Sequence, residues 1–156
     1  LSNPTSNCEA LPVDILKWTD GKAIVASGSP FADVEYNGRT HVIGQGNNAF
    51  IFPGLGFATI IGKCRKISDE MVLESSYALA DYTINKHVDN GLIFPPVSEL
   101  QDASIEVAAR VLKQAIIEGS SSRDDLNEEN LEDFIRSRLW YPDYLPFVYS
   151  KHEGHL

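Results

Sequence analysis

The chain has 156 residues, with 22 Asp and Glu against 13 Lys and Arg and a net charge of −9, and so acidic a surface argues against a nucleic-acid partner. Hydrophobic residues at 43% and charged residues at 22% describe a folded domain, or a large part of one, and exclude a disordered chain. No apolar run reaches the roughly 18 residues of a membrane span, and Cys8 and Cys64, the two cysteines, make neither a disulfide scaffold nor a zinc site.

The chain opens at Leu1 on Ser2-Asn3-Pro4-Thr5, a turn signal with no Met and no leader pattern, so a fragment of a longer protein is expected. Residues 9–18 carry apolar side chains at Leu11, Ile15 and Trp18, with Pro12 suited to a first helical turn and Thr19-Asp20-Gly21 as the stop. Residues 23–26 are a short apolar run bounded by Gly21 and Gly28, the pattern of a buried strand in a parallel sheet. Asn37-Gly38 lies between Val34-Glu35-Tyr36 and Arg39-Thr40-His41-Val42 and predicts a hairpin. Val42-Ile43 then leads into Gly44-Gln45-Gly46-Asn47-Asn48 and a helix rich in Phe, Ile and Leu, whose first turn Pro53 ends or kinks.

Ser68 caps the next helix, with Asp69 and Glu70 in its first turn. That helix is expected to run to about Tyr82, followed by a loop over residues 83–96. Ser98-Glu99-Leu100-Gln101 reads as a capping box. It opens a long amphipathic helix with Leu100, Ala103, Val107, Val111 and Ala115 on one face and Gly119 at its end. Ser120-Ser121-Ser122 reads as a linker. A last helix from Glu128 to about Leu139 carries Leu131, Phe134, Ile135 and Leu139, and an aromatic tail follows Pro142 with Tyr144, Phe147 and Tyr149. Strands alternating with helices predict an α/β layered sheet with a small hairpin, followed by a mainly helical tail. The expected division is residues 1–119 and residues 120–156.

Gly44-Gln45-Gly46-Asn47-Asn48-Ala49 satisfies G-x-G-x-x-A between a strand and a helix, the form of a dinucleotide-binding turn. The acid expected about 20 residues on, at the end of a second strand, is missing, since Asp69 opens a helix. The carboxamides of Asn47 and Asn48 admit two further readings. Beside free backbone N–H groups at a helix start they suit a carboxylate, or they simply cap the helix.

Leu1-Ser2-Asn3-Pro4-Thr5, Ala26-Ser27-Gly28-Ser29-Pro30-Phe31, Gly44-Gln45-Gly46-Asn47-Asn48 and Phe52-Pro53-Gly54 resemble, in order and spacing, the C-terminal half of malic enzymes. The likeness continues through Ile67-Ser68-Asp69, Pro95-Pro96 and Trp140-Tyr141-Pro142 and covers essentially the whole chain. It implies the C-terminal portion of a Rossmann-like doubly wound sheet from an NAD- or NADP-dependent enzyme. That enzyme oxidatively decarboxylates L-malate to pyruvate and CO₂ with Mg²⁺ or Mn²⁺. It further implies Asn3, Asn47 and Asn48 as substrate-binding residues, and Asn3, Ser27 and Gly28 near the cofactor.

The family's metal-binding carboxylates and its catalytic Lys and Tyr match nothing in this chain. The resemblance therefore assigns no catalytic residue and no metal ligand here. Asp69-Glu70, Asp124-Asp125 and Glu128-Glu129 read as helix starts or solvated faces. By itself the chain is expected to be inactive, and its partners are expected to be the remainder of the subunit and further copies in a dimer or tetramer. A cytoplasmic location is expected, with the mitochondrial matrix as the alternative. Malolactic chemistry, yielding lactate, and a non-catalytic dinucleotide-binding or assembly module are the competing readings.

Overall fold

Pro12, with its φ fixed and no N–H to satisfy, opens the first helix, α1 (Pro12–Trp18). The computed structural model describes residues 2–3, 5–127, 130–141, 144 and 146–147. α1 turns Pro12 and Leu16 inward, one turn apart, whereas Leu11 and Trp18 of the expected apolar set are exposed. Asp20 and Gly21 end it in the left-handed region (φ 52° and 71°), and the Gly21 N–H donates to Leu16 O at 2.8 Å.

The parallel strand forms later than the apolar run suggested. β1 is Ala26–Ser27, and it pairs in parallel with β4, Gly44–Gln45, in the register Ala26 to Gly44 and Ser27 to Gln45. The connection between them is the hairpin of β2 (Val34–Tyr36) and β3 (Arg39–His41), with Val34 opposite His41. Asn37 and Gly38 turn it with φ of 51° and 72°, as a two-residue turn with both central residues left-handed requires. Leu16, Val25 and Ile43 form a small core under this unit.

The larger core lies among four helices. α2 (Phe52–Ile61) carries Pro53 in its first turn, preceded by a separate single turn at Asn48–Phe50, so the proline divides the predicted helix in two. α3 (Asp69–His87) starts at Ser68, whose hydroxyl accepts the Met71 N–H at 3.1 Å. It continues past Tyr82 because no Gly or Pro interrupts residues 83–90, and a further turn at Val88–Asn90 leads to left-handed Gly91. α4 (Leu100–Ile117) buries Ala103, Val107, Val111 and Ala115 as predicted, together with Ile105, Ala108 and Leu112. The capping box does not form. A single turn at Val97–Glu99 precedes Leu100, and no side chain caps the helix. α5 (Leu131–Arg138) places Leu131 and Ile135 in the same core; Glu128, the predicted start, lies outside the described residues, as do Pro142 and Tyr149.

Gly54 and Gly62 let α2 approach α4 closely. A Cβ on Gly54 would stand 2.6 Å from Ser104 O, and one on Gly62 would stand 2.4 Å from Leu112 Cδ1. Arg110 of α4 reaches Glu74 and Asp81 of α3 at 2.8 Å each. The serine segment after α4 is tied down. Ser120 Oγ donates to Lys66 O at 3.0 Å, Ser121 Oγ donates to Gly62 O at 2.7 Å, and Cys64 and Ser121 form a β-bridge. The result is an α/β unit whose small sheet sits beside a helical layer. No helix among the described residues is long and apolar enough to cross a membrane.

Candidate functional site

Parallel pairing sends β1 and β4 toward the same edge, and in open α/β sheets ligands collect outside the carboxyl ends of the strands. The chain leaves β4 through Gly46 into Asn47, which is extended (φ −140°, ψ 138°) and caps the turn Asn48–Phe50. The Asn47 Oδ1 accepts the Ala49 N–H at 2.9 Å. The chain leaves β1 through Gly28 into Ser29, whose buried hydroxyl donates to Asn3 Oδ1 at 2.6 Å. Asn7 Nδ2 donates to Asn3 O at 3.3 Å and folds that segment back on itself.

The β4 exit and Asn3, which Ser29 holds, meet at one cleft of about 410 Å³, lined by Asn3, Gly46, Asn47, Asn48, Ile51, Leu79 and Phe94. The three amides singled out in the sequence thus lie together, 44 to 45 positions apart in the chain. The opposite wall is apolar. Leu79 comes from α3, and Phe94 stacks on Phe50 with ring centroids 6.4 Å apart and 18° between planes. No lining side chain is ionisable. The cleft can orient an acceptor-rich ligand through amide N–H donors, and it offers no group to take up or release a proton.

Ser27 and Gly28 do not line the cleft. The Ser27 carbonyl accepts the Gly46 N–H at 2.9 Å, and the Gly28 carbonyl accepts Gln45 Nε2 at 3.4 Å, so both residues brace the strand ends. The same bonds bear on the G-x-G-x-x-A match. Gly44 is inside a strand with its N–H on Val25 O at 3.0 Å, and the N–H groups of Gly46, Ala49 and Phe50 all have partners within the protein. A pyrophosphate draws on free N–H groups at a helix start, and these three are already engaged. Sequence reasoning did not single out Ser29, Leu79 or Phe94. A lone serine between Gly28 and Pro30 was the available signal for the first, and none marked the other two.

Among the described residues no group of three or more His, Cys, Asp and Glu is placed to hold a metal ion. Asp125 is engaged by Arg123 at 2.6 Å, and Asp69 and Glu70 occupy the first turn of α3. A separate polar cluster joins α3 to the start of α4. Tyr82 Oη donates to Glu99 Oε2 at 2.8 Å, and His87 Nε2 meets the same oxygen at 2.8 Å. These contacts, that of His87 foremost, hold the Glu99 carboxyl below its ordinary range. Burial pushes the Tyr82 hydroxyl up, and the Lys86 ammonium lies 4.0 Å from the Tyr82 ring centroid.

A family model described as "Malic enzyme, NAD binding domain" matches residues 1–116. Over 144 residues, 92% of the chain, it is 44% identical to an NAD-dependent malic enzyme of Aliivibrio fischeri and 45% identical to a chloroplastic NADP-dependent malic enzyme of Flaveria pringlei. The aligned part is 25% and 22% of those two proteins, so the chain spans about a quarter of the length of the curated relatives it matches. The crystal structure of Entamoeba histolytica malic enzyme superposes with a TM-score of 0.64 at 25% identity, over 83% of this chain and 24% of that one.

Proposed function

The chain belongs to the malic enzyme family, in the part described as its NAD binding domain, and on that premise we propose that it supplies the substrate-orienting side of an oxidoreductase active site. The proposed overall reaction converts L-malate and NAD⁺ or NADP⁺ to pyruvate, CO₂ and the reduced cofactor. One observation carries the reading: Asn3, Asn47 and Asn48 line a single cleft at the carboxyl ends of two parallel strands. Two of the three amide oxygens are already bonded inside the protein, so N–H donors remain for the oxygens of a dicarboxylate.

The chain's own residues bind and orient. Asn3 approaches from the β1 side and Asn47 and Asn48 from the β4 side, and Ile51, Leu79 and Phe94 exclude water from the apolar flank. The reaction also requires a general base, a general acid and a Mg²⁺ or Mn²⁺ ion held by carboxylates. The described residues bring together no group of three or more carboxylate, His or Cys donors that fits that ion. The remainder of the subunit is the proposed source of those groups and of the pyrophosphate site. The exposed Trp140, Tyr144 and Phe147 suit docking to that remainder, or to a second copy in a dimer or tetramer.

The test is product analysis. The full-length protein should form pyruvate and NADH or NADPH together from L-malate, and Asn47→Ala should raise KM for malate. Lactate without net reduced cofactor would reassign it to malolactic chemistry, and no malate turnover at all would overturn the reading. The 156-residue chain alone should give no malate-dependent cofactor reduction; turnover by it would refute the placement of base and metal elsewhere.

A further inference from the structure

The hydrogen bond between Ser29 and Asn3 has a geometry that fixes which way the Asn3 amide faces. Its 2.6 Å separation is that of an O–H···O bond and is shorter than the ~2.7–3.2 Å of N–H···O bonds. The atom facing Ser29 is the amide oxygen, and the hydroxyl is its donor. Ser29 is only 6% exposed, so little solvent competes for that hydroxyl. Its mount is firm, because Gly46 N–H on Ser27 O and Gln45 Nε2 on Gly28 O anchor the two residues before it.

We propose that Ser29 is a positioning residue that turns the Asn3 amide nitrogen into the cleft, and that the cleft thereby selects a carboxylate over a carboxamide. The inference rests on the reading of Asn3 and Asn47 as substrate-facing residues. Asn47 is oriented in the same sense and without ambiguity, since its Oδ1 accepts from a backbone N–H, a group that can only donate. Among the described residues the Asn3 nitrogen has no acceptor. Two amides, one from the β1 side and one from the β4 side, therefore present donors to one cavity. A carboxylate is acceptor-only and satisfies both. A carboxamide brings its own N–H groups against them and sets donor against donor, which is how sites built around one polar pattern reject a near-isostere. With Ser29 reduced to alanine, the Asn3 amide turns freely and that polarity is lost on one side.

The experiment uses the full-length enzyme in four forms: wild type, Ser29→Ala, Asn3→Ala and the double variant. Each is assayed with L-malate and with its two monoamides as inhibitors. Ser29→Ala is expected to raise KM for malate about 2- to 10-fold, the value of one net hydrogen bond, and to narrow the preference for malate over a monoamide. Adding Ser29→Ala to Asn3→Ala should change neither quantity further, since the two residues act as one unit. Unchanged KM and preference in Ser29→Ala, or full additivity in the double variant, overturns the proposal. So does a fall in kcat or thermal stability with the preference intact, because that marks a merely structural hydroxyl. If Asn3→Ala itself leaves KM unchanged, the substrate-facing reading of Asn3 fails, and this proposal with it. If Asn3→Ala raises KM and Ser29→Ala does not, only the role of Ser29 fails.

Discussion

Replacing Gly54 by alanine places a methyl carbon 2.6 Å from the carbonyl oxygen of Ser104 and 2.7 Å from the Cβ and Cγ1 of Val107. The first neighbour is backbone and the second is a β-branched side chain fixed in the core, so neither yields by a rotamer change. α2 must instead move off α4, along an interface that buries Leu55, Ala58, Val107 and Val111. Overpacking of this kind costs about 1–3 kcal/mol, against which the helical preference of alanine over glycine returns at most about 1 kcal/mol. A shift of about 2–4 °C in Tm per kcal/mol is usual for a chain of this length. Gly54→Ala should therefore lower the midpoint by several degrees in thermal unfolding followed by far-ultraviolet circular dichroism, with a matching drop in the urea midpoint. Gly56 is the internal control. It lies on the same helix, and a Cβ there meets nothing within 4 Å. Gly56→Ala should raise stability by about 0.5–1 kcal/mol. Equal effects of the two substitutions, or a Gly54→Ala chain as stable as wild type, would refute the close approach of α2 and α4.

Glu99 is held below its ordinary value of 4.5, first by its bond to His87 and then by Tyr82. A depressed carboxyl stabilises the fold above its unfolded-state value and loses that contribution as pH falls through the folded one. Glu99→Gln should accordingly flatten the acid limb of stability against pH, read as urea midpoints from neutral to acidic pH; an unaltered acid limb counts against the cluster. Ser68→Ala removes the cap on Met71 N–H and a 2.8 Å bond to Glu118, and should cost about 1 kcal/mol. The thiol of Cys64 is pushed up by burial and then by the charge of Glu118, so at neutral pH it should alkylate more slowly than a free thiol and speed up on denaturation. Mass spectrometry of the labelled peptides reads this, and rapid labelling of Cys64 in the folded chain would contradict it.

Local chemistry was most legible where one or two residues dictate a conformation. Asn37-Gly38 specified its turn, Ser68 its helix start, and Gly119, with φ of 67°, the end of α4. It was less legible where a distant partner decides. β1 begins at Ala26 because β4 returns from the hairpin only that far, and nothing within residues 23–26 carries that information. Ser98 and Gln101 have the capping-box spacing, yet Pro96 sets a single turn there and Glu99 is drawn to Tyr82 and His87 of another helix. The amides of the cleft were visible as residue types, and their polarity was not. Which edge of Asn3 faces outward depends on Ser29, 26 positions along the chain.

The hairpin also separates two properties that an intervening helix would have merged. In a βαβ unit the crossover helix both spaces the parallel strands and covers the sheet, so its length is constrained. Here the β2–β3 ribbon leaves the sheet between Ser27 and Gly44 and returns to it; at its tip a Cβ on Gly38 would meet nothing within 4 Å, while Asn37 Nδ2 donates to Asp20 Oδ1 at 3.2 Å. Lengthening such a tip costs only about 0.6 kcal/mol per doubling of the loop. The chain after Gly38 is therefore a place where residues can be added at the cost of the Asn37 bond to Asp20 at most, while the amide-lined cleft keeps its shape.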